Sequence, residues 1–146
     1  MWFDNQAEEA ARFYVSLFKN SKILETRRYK DNFTAVVFRL AGQEYIAFNG
    51  GPHEKLTPAF SFFVVVKTQR EVDALWAKLV KGGKPIQCGW LTDRFGVCWQ
   101  IIPSLLDELL LGKDAAKADR AWQAMMKMVK IDIKKLKDAA RQSRTR

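Results

Sequence analysis

The chain has 146 residues, 48% of them hydrophobic and 12% aromatic, with 25 Lys and Arg against 16 Asp and Glu for a net charge of +9. That apolar content excludes disorder throughout and supports a buried core, in one domain or two fused small modules. No apolar run approaches the ~18–20 residues that a membrane span needs, and the start, MWFDNQAEEA, turns acidic and polar too early for a secretory signal. The reading is a cytoplasmic protein with no membrane partner.

In chain order, Asn5 is predicted to cap a first helix over about Gln6–Phe18, with Glu8 at the capping-box spacing and an apolar stripe of Ala7, Ala10, Ala11, Tyr14, Leu17 and Phe18. Three strand-like runs follow, KILETRRYK, FTAVVFRLA and EYIAFNG, with Asp31-Asn32 and Gly42 as turn residues, which predicts a three-stranded meander. GGPHEKLTP reads as a loop, and FSFFVVV is the most apolar strand of the chain. Thr68 caps a second helix over about Gln69–Val80, with Glu71 at the capping-box spacing and Val72, Leu75, Trp76 and Leu79 facing inward. Gly82-Gly83 ends it. PIQCGWLTD and VCWQIIP supply a hairpin or meander around Asp93–Gly96, and the remainder is helical.

Shifting the first helix by 62 residues sets Ala10 on Val72, Phe13 on Leu75, Tyr14 on Trp76 and Leu17 on Leu79. The chain therefore reads as two copies of strand, helix, strand, strand, strand. The positive charge belongs to the end of the chain: residues 113–146 carry +7 and residues 1–112 carry +2. Apolar Ala121, Met125, Met128, Ile131, Ile133 and Leu136 recur there at mostly helical spacings, so the lysines and arginines read as the solvated face of terminal helices, and nucleic-acid binding is disfavoured. With a hairpin turn at Asp93–Gly96, Cys98 falls opposite about Leu91 and Cys88 is out of register for a bridge, so both are expected as thiols.

In the last strand Cys98, Gln100 and Ile102 share one face while Val97, Trp99 and Ile101 share the other. Gln100 is thus a single amide in an apolar run, either a satisfied core group or one placed to meet a ligand. His53 lies in the Gly/Pro loop without an orienting partner other than Glu54, and reads as solvent-facing. Asn49, Gly50 and Gly51 read as a strand-ending turn rather than an anion nest. Trp90 and Trp99 read as core or interface residues.

The two modules, together with WFDNQAEEAARFYVSLF, FNGGP, SFFVVVKTQREVDALWAKL, CGWLTDRFGVCWQIIP and AMMKMVKIDIKKL, resemble the vicinal oxygen chelate superfamily, and specifically its PhnB-like branch, often labelled 3-demethylubiquinone methyltransferase-like. The resemblance implies an α+β fold of paired βαβββ modules forming a cup-shaped mixed sheet, commonly a homodimer. It places a domain over residues 1–112, with modules at about 1–52 and 59–103, and a basic helical extension over 113–146. The family's first strand normally runs several residues upstream of WFD, so strand one is expected to be clipped here.

In metal-using relatives, ligands project from the first and last strand of each module, and the last strand of the second supplies a carboxylate. The resemblance sets Gln100 at that position, Tyr45 on the last strand of the first module and Ser61 at the opening of the second. Hydroxyl and amide groups are poor ligands for a divalent transition metal, so no metal and no cofactor is expected. Nor do these residues support methyltransferase chemistry, since the Gly-rich strand-to-helix turn of a Rossmann-type enzyme is missing. The implied function is binding of a small organic ligand in a cup lined by Tyr45, Ser61, Phe63, Cys98 and Gln100. A glyoxalase-, dioxygenase- or epimerase-type enzyme is the alternative, for which Tyr45, Cys98 and His53 are the available proton-transfer groups.

Overall fold

A computed structural model describes residues 1–30 and 33–141. The turn expected at Asp31-Asn32 and the last five residues of the basic tail lie outside the described residues. The chain forms two compact units, Met1–Leu56 and Thr57–Arg146.

The first unit runs β1 (Trp2–Phe3), α1 (Ala7–Leu17), β2 (Lys22–Arg28), β3 (Thr34–Leu40) and β4 (Gln43–Asn49). Its sheet has the order β1-β4-β3-β2, with β1 parallel to β4 and the expected antiparallel meander over β2, β3 and β4. α1 packs on β3 and buries Ala7, Ala10, Ala11 and Tyr14. Its start differs from the local expectation. Gln6 holds the cap position without a side-chain bond, and the Ala7 N–H donates instead to Asn49 Oδ1 at 2.8 Å. An acceptor brought by the end of β4 thus replaces Asn5 in satisfying a helix-terminal N–H.

The second unit repeats this order with β5 (Phe62–Val66), α2 (Gln69–Val80), β6 (Lys84–Pro85), β7 (Trp90–Thr92) and β8 (Cys98–Pro103), then adds α3 (Ser104–Leu110), α4 (Ala115–Met125) and α5 (Ile133–Arg141). Its sheet is β5-β8-β7-β6, again with first and last strands parallel. Two four-stranded mixed sheets of identical topology are what the 62-residue shift anticipates, and Ala10 and Val72, its first matched pair, are both fully buried.

α2 begins where its sequence signals place it. Thr68 Oγ1 accepts from the Glu71 N–H at 3.2 Å, and Glu71 Oε2 accepts from the Thr68 N–H at 2.8 Å and the Lys67 N–H at 2.9 Å. Those two backbone donors, with the Thr68 hydroxyl, hold the Glu71 carboxyl below its ordinary pKa. A lowered folded-state value means that this contribution is present above the unfolded glutamate pKa and is lost as pH falls through the folded one. Thr68→Ala is expected to destabilise the protein by about 1 kcal/mol in urea denaturation at pH 7, and Glu71→Gln to flatten the loss of stability on acidification. Beyond the helix Gly82 takes φ +76°, the left-handed conformation that ends a helix at little cost for glycine.

The C-terminal helices are built into the second unit. Ile102 of β8 shares one buried cluster with Leu106, Leu109, Ala121, Met125, Met128, Ile131, Leu136 and Ala140. The Cys88 and Gly89 N–H groups also donate to the Met128 and Val129 carbonyls, each at 2.8 Å. Of the stripe expected from spacing, only Ile133 is half-buried rather than buried. No helix among the described residues is long and apolar enough to cross a membrane.

Candidate functional site

The β7–β8 hairpin is organised by Asp93, which is 3% exposed. Its Oδ1 accepts from the Phe95 N–H at 2.8 Å and the Val97 N–H at 3.0 Å, and its Oδ2 accepts from the Trp99 indole N–H at 2.9 Å. The Asp93 N–H in turn donates to the Val97 carbonyl at 2.9 Å, and Gly96 adopts φ +86°. This three-residue loop with a left-handed glycine at its end moves the register by one residue from the expected one: Cys98 pairs with Thr92, not Leu91. Both cysteines are free.

Register fixes which side chains share a face. Trp99 pairs with Phe62 and Leu91, and Phe62 stacks on its indole at a centroid distance of 4.6 Å. Trp99, Leu91 and Ile101 are fully buried on the face against which α2 packs. The opposite face carries Gln100 between its partners Phe63 and Trp90, with Ser61 two residues before Phe63 and Cys98 two before Gln100. Phe63 is 53% exposed there, Trp90 and Ser61 are half-buried, and Cys98 is buried. Gln100 Nε2 donates to Ser61 Oγ at 2.9 Å. Among the described residues, Gln100 Oε1 receives no hydrogen bond, so one acceptor stays available on the face that carries the exposed Phe63.

Four of the five residues that the sequence points to therefore lie on one face of the second sheet, open at Phe63 and covered at Ile102 by the C-terminal helices. Tyr45 does not share that arrangement, because it sits across from Phe38, with ring centroids 5.8 Å apart, on the face of the first sheet that holds Val36, Ala47 and the α1-capping Asn49. The open face of β4 carries Ile46 and Phe48 instead. Burial pushes the Cys98 thiol above its ordinary pKa, a rise that hydrogen bonding with Thr92 opposes, so the thiolate form is disfavoured. His53 is exposed in the loop after β4. Sequence reasoning did not assign Trp90 to this face; its direct pairing with Gln100 does.

Among the described residues, no three His, Cys, Asp or Glu side chains stand close enough to hold a metal ion. The basic tail is partly neutralised within its own unit, Lys130 by Asp73 at 2.5 Å and Lys134 by Asp138 at 2.7 Å, while the Arg120 guanidinium donates to the Ala140 carbonyl at 3.0 Å.

Residues 1–102 match the model of the 3-demethylubiquinone-9 3-methyltransferase family. Among solved structures, a putative 3-demethylubiquinone-9 3-methyltransferase, PhnB protein, from Bacillus cereus is 32% identical with a TM-score of 0.66, the match covering 71% of this chain and 95% of that one. A protein from Pseudomonas aeruginosa is 18% identical with a TM-score of 0.60, covering 70% and 92%. The fosfomycin resistance protein FosX from Listeria monocytogenes, crystallised with Mn(II) and 1S,2S-dihydroxypropylphosphonic acid, is 13% identical with a TM-score of 0.51, covering 70% and 86%. These last two share the fold. A comparison with curated proteins finds no match. By its family match and its repeated βαβββ architecture, the chain belongs to the 3-demethylubiquinone-9 3-methyltransferase, or PhnB-like, family of the vicinal oxygen chelate superfamily.

Proposed function

We propose that the open face of the second sheet binds a small organic molecule, anchored by Gln100 and Ser61 and walled by Phe63, Trp90 and Cys98. One observation carries this reading: Gln100 spends its Nε2 on Ser61 at 2.9 Å and leaves its carbonyl oxygen open on the face that carries the exposed Phe63. A pair that merely closed a core would use both ends of the amide, since a buried unpaired acceptor costs about 1–3 kcal/mol. Here the pair fixes the amide and aims an acceptor at a donor on a guest whose body lies on the Phe63 and Trp90 rings.

The reading needs no metal. FosX from Listeria monocytogenes is crystallised with Mn(II), but the donor set on this face does not fit such an ion. Ser61 and Gln100 are neutral and already bonded to each other, whereas divalent transition metals favour imidazole, thiolate or carboxylate. Nucleophilic chemistry through Cys98 is disfavoured by its raised pKa.

Thermal-shift screening of small hydrogen-bond-donating aromatics against wild type, Gln100→Leu and Ser61→Ala tests the reading. The hits are expected to lose at least 10-fold in affinity with Gln100→Leu while the variant's own Tm stays within a few degrees of wild type. Unchanged affinity in Gln100→Leu contradicts the assignment.

A further inference from the structure

The first unit carries a groove of about 820 Å³ that the reading above does not use, lined by Trp2, Phe33 and Phe48, by Asp4 and Asn5, and by the Asn49–Gly51 turn. We propose that it is a binding site for a small free organic ammonium ion, held by cation–π contact with the three rings and by the Asp4 carboxylate.

Four observations lead there. The rings touch one another, Trp2 and Phe48 at 5.1 Å between centroids and Phe33 and Phe48 at 5.8 Å, inclined by 67° and 33°. Surfaces inclined in this way wrap a compact cation rather than lie flat on a planar guest. The indole is fixed in place, because its N–H donates to the Gly51 carbonyl at 2.8 Å and a Cβ on Gly50 would stand 2.3 Å from the ring. Glycine at 50 is therefore what lets Trp2 lie against the backbone, and a ring whose only donor is spent recognises a guest through its π surface.

Among the described residues Asp4 is the only charged one of the lining, and its carboxyl makes no ion pair or hydrogen bond there. No cation among the described lining residues competes for it. An anion has no comparable anchor: the Ala7 N–H at the start of α1 is already taken by Asn49 Oδ1. Aromatic surface with one free negative charge is complementary to an alkylated ammonium group.

The test uses choline as the cation and 3,3-dimethyl-1-butanol as its neutral isostere, with benzoate as the anion, followed on the Trp2 indole N–H resonance assigned through Trp2→Phe. Choline is expected to shift that resonance and to bind at least 10-fold more tightly than the isostere, with benzoate inert. Asp4→Asn should weaken choline at least 3-fold and narrow its advantage over the isostere, and Phe33→Leu should weaken it at least 5-fold. Both positions are exposed, so the variants are expected to fold, which the unchanged dispersion of the remaining spectrum verifies. No Trp2 shift at tens of millimolar choline, equal binding of the isostere, or unchanged affinity in both variants overturns the proposal. Phosphatidylcholine vesicles present the same group on a surface. Co-sedimentation with them while free choline leaves Trp2 unmoved would also overturn it, as made for a free molecule.

Discussion

Asp93→Ala is expected to cost about 4 kcal/mol of stability, because it removes the acceptors of three donors inside one hairpin at once, each worth roughly 1–3 kcal/mol when left unpaired in a buried place. The Phe95 and Val97 N–H groups share Oδ1, and the Trp99 indole uses Oδ2. The same side chain sets the turn and fastens the largest fully buried residue of the unit. Asp93→Asn should cost less, as an amide keeps one acceptor but must turn its NH2 toward a group that itself donates. Urea denaturation of both variants, with the Trp99 indole resonance as a local reporter, checks the ordering. A loss under 1 kcal/mol for Asp93→Ala would show that the hairpin does not depend on this hub. The functional consequence runs through β8, where a slip of one residue would carry Gln100 to the opposite face.

Leu136→Ala is expected to destabilise the second unit by about 3 kcal/mol, in the range found when a fully buried leucine leaves a cavity. Leu136 is fully buried in the cluster that α3, α4 and α5 build on Ile102 of β8. Because that cluster includes a residue of the sheet, loosening it should be felt at β8 and not only in the helices. Hydrogen exchange is expected to accelerate at the Cys88 and Gly89 amides, whose acceptors are the Met128 and Val129 carbonyls. A cost below 1 kcal/mol with unaltered exchange at those amides would show the helices to be an independent appendage.

How far such features can be read without coordinates depends on whether their causes are local. The α2 boundary was legible because Thr68 and Glu71 satisfy one another three residues apart. The start of α1 was not, because its acceptor is Asn49, 42 residues away in sequence. The βαβββ repeat was legible in the matched apolar stripes of α1 and α2, since both bury the same helical period on a sheet. The face that Tyr45 takes is within reach of the local pattern, although the family resemblance alone sets it in the cup. Ala41 and Gly42, with φ of 49° and 92°, form a two-residue hairpin turn that pairs Leu40 with Gln43 and hence Phe38 with Tyr45. Val36, Phe38 and Leu40 mark the covered face by their apolar alternation. In the site itself, strand alternation placed Gln100 and Cys98 together, but the bond to Ser61 joins residues 39 apart, beyond any local pattern, and only the family resemblance set both residues in one cup. The aromatic groove of the first unit had no signal in periodicity, because its rings come from β1, β4 and the residue before β3.

The central claim is that Gln100 meets a guest on the open face of the second sheet without help from a metal. The most direct measurement is a titration of the isotopically labelled protein with a thermal-shift hit, in buffer containing EDTA, followed on the side-chain amide of Gln100. That amide and the Trp90 indole are expected to move together along one binding curve while the Trp99 indole, buried on the other face, stays still. A Gln100 amide that does not move, or binding that disappears with the chelator, would contradict it.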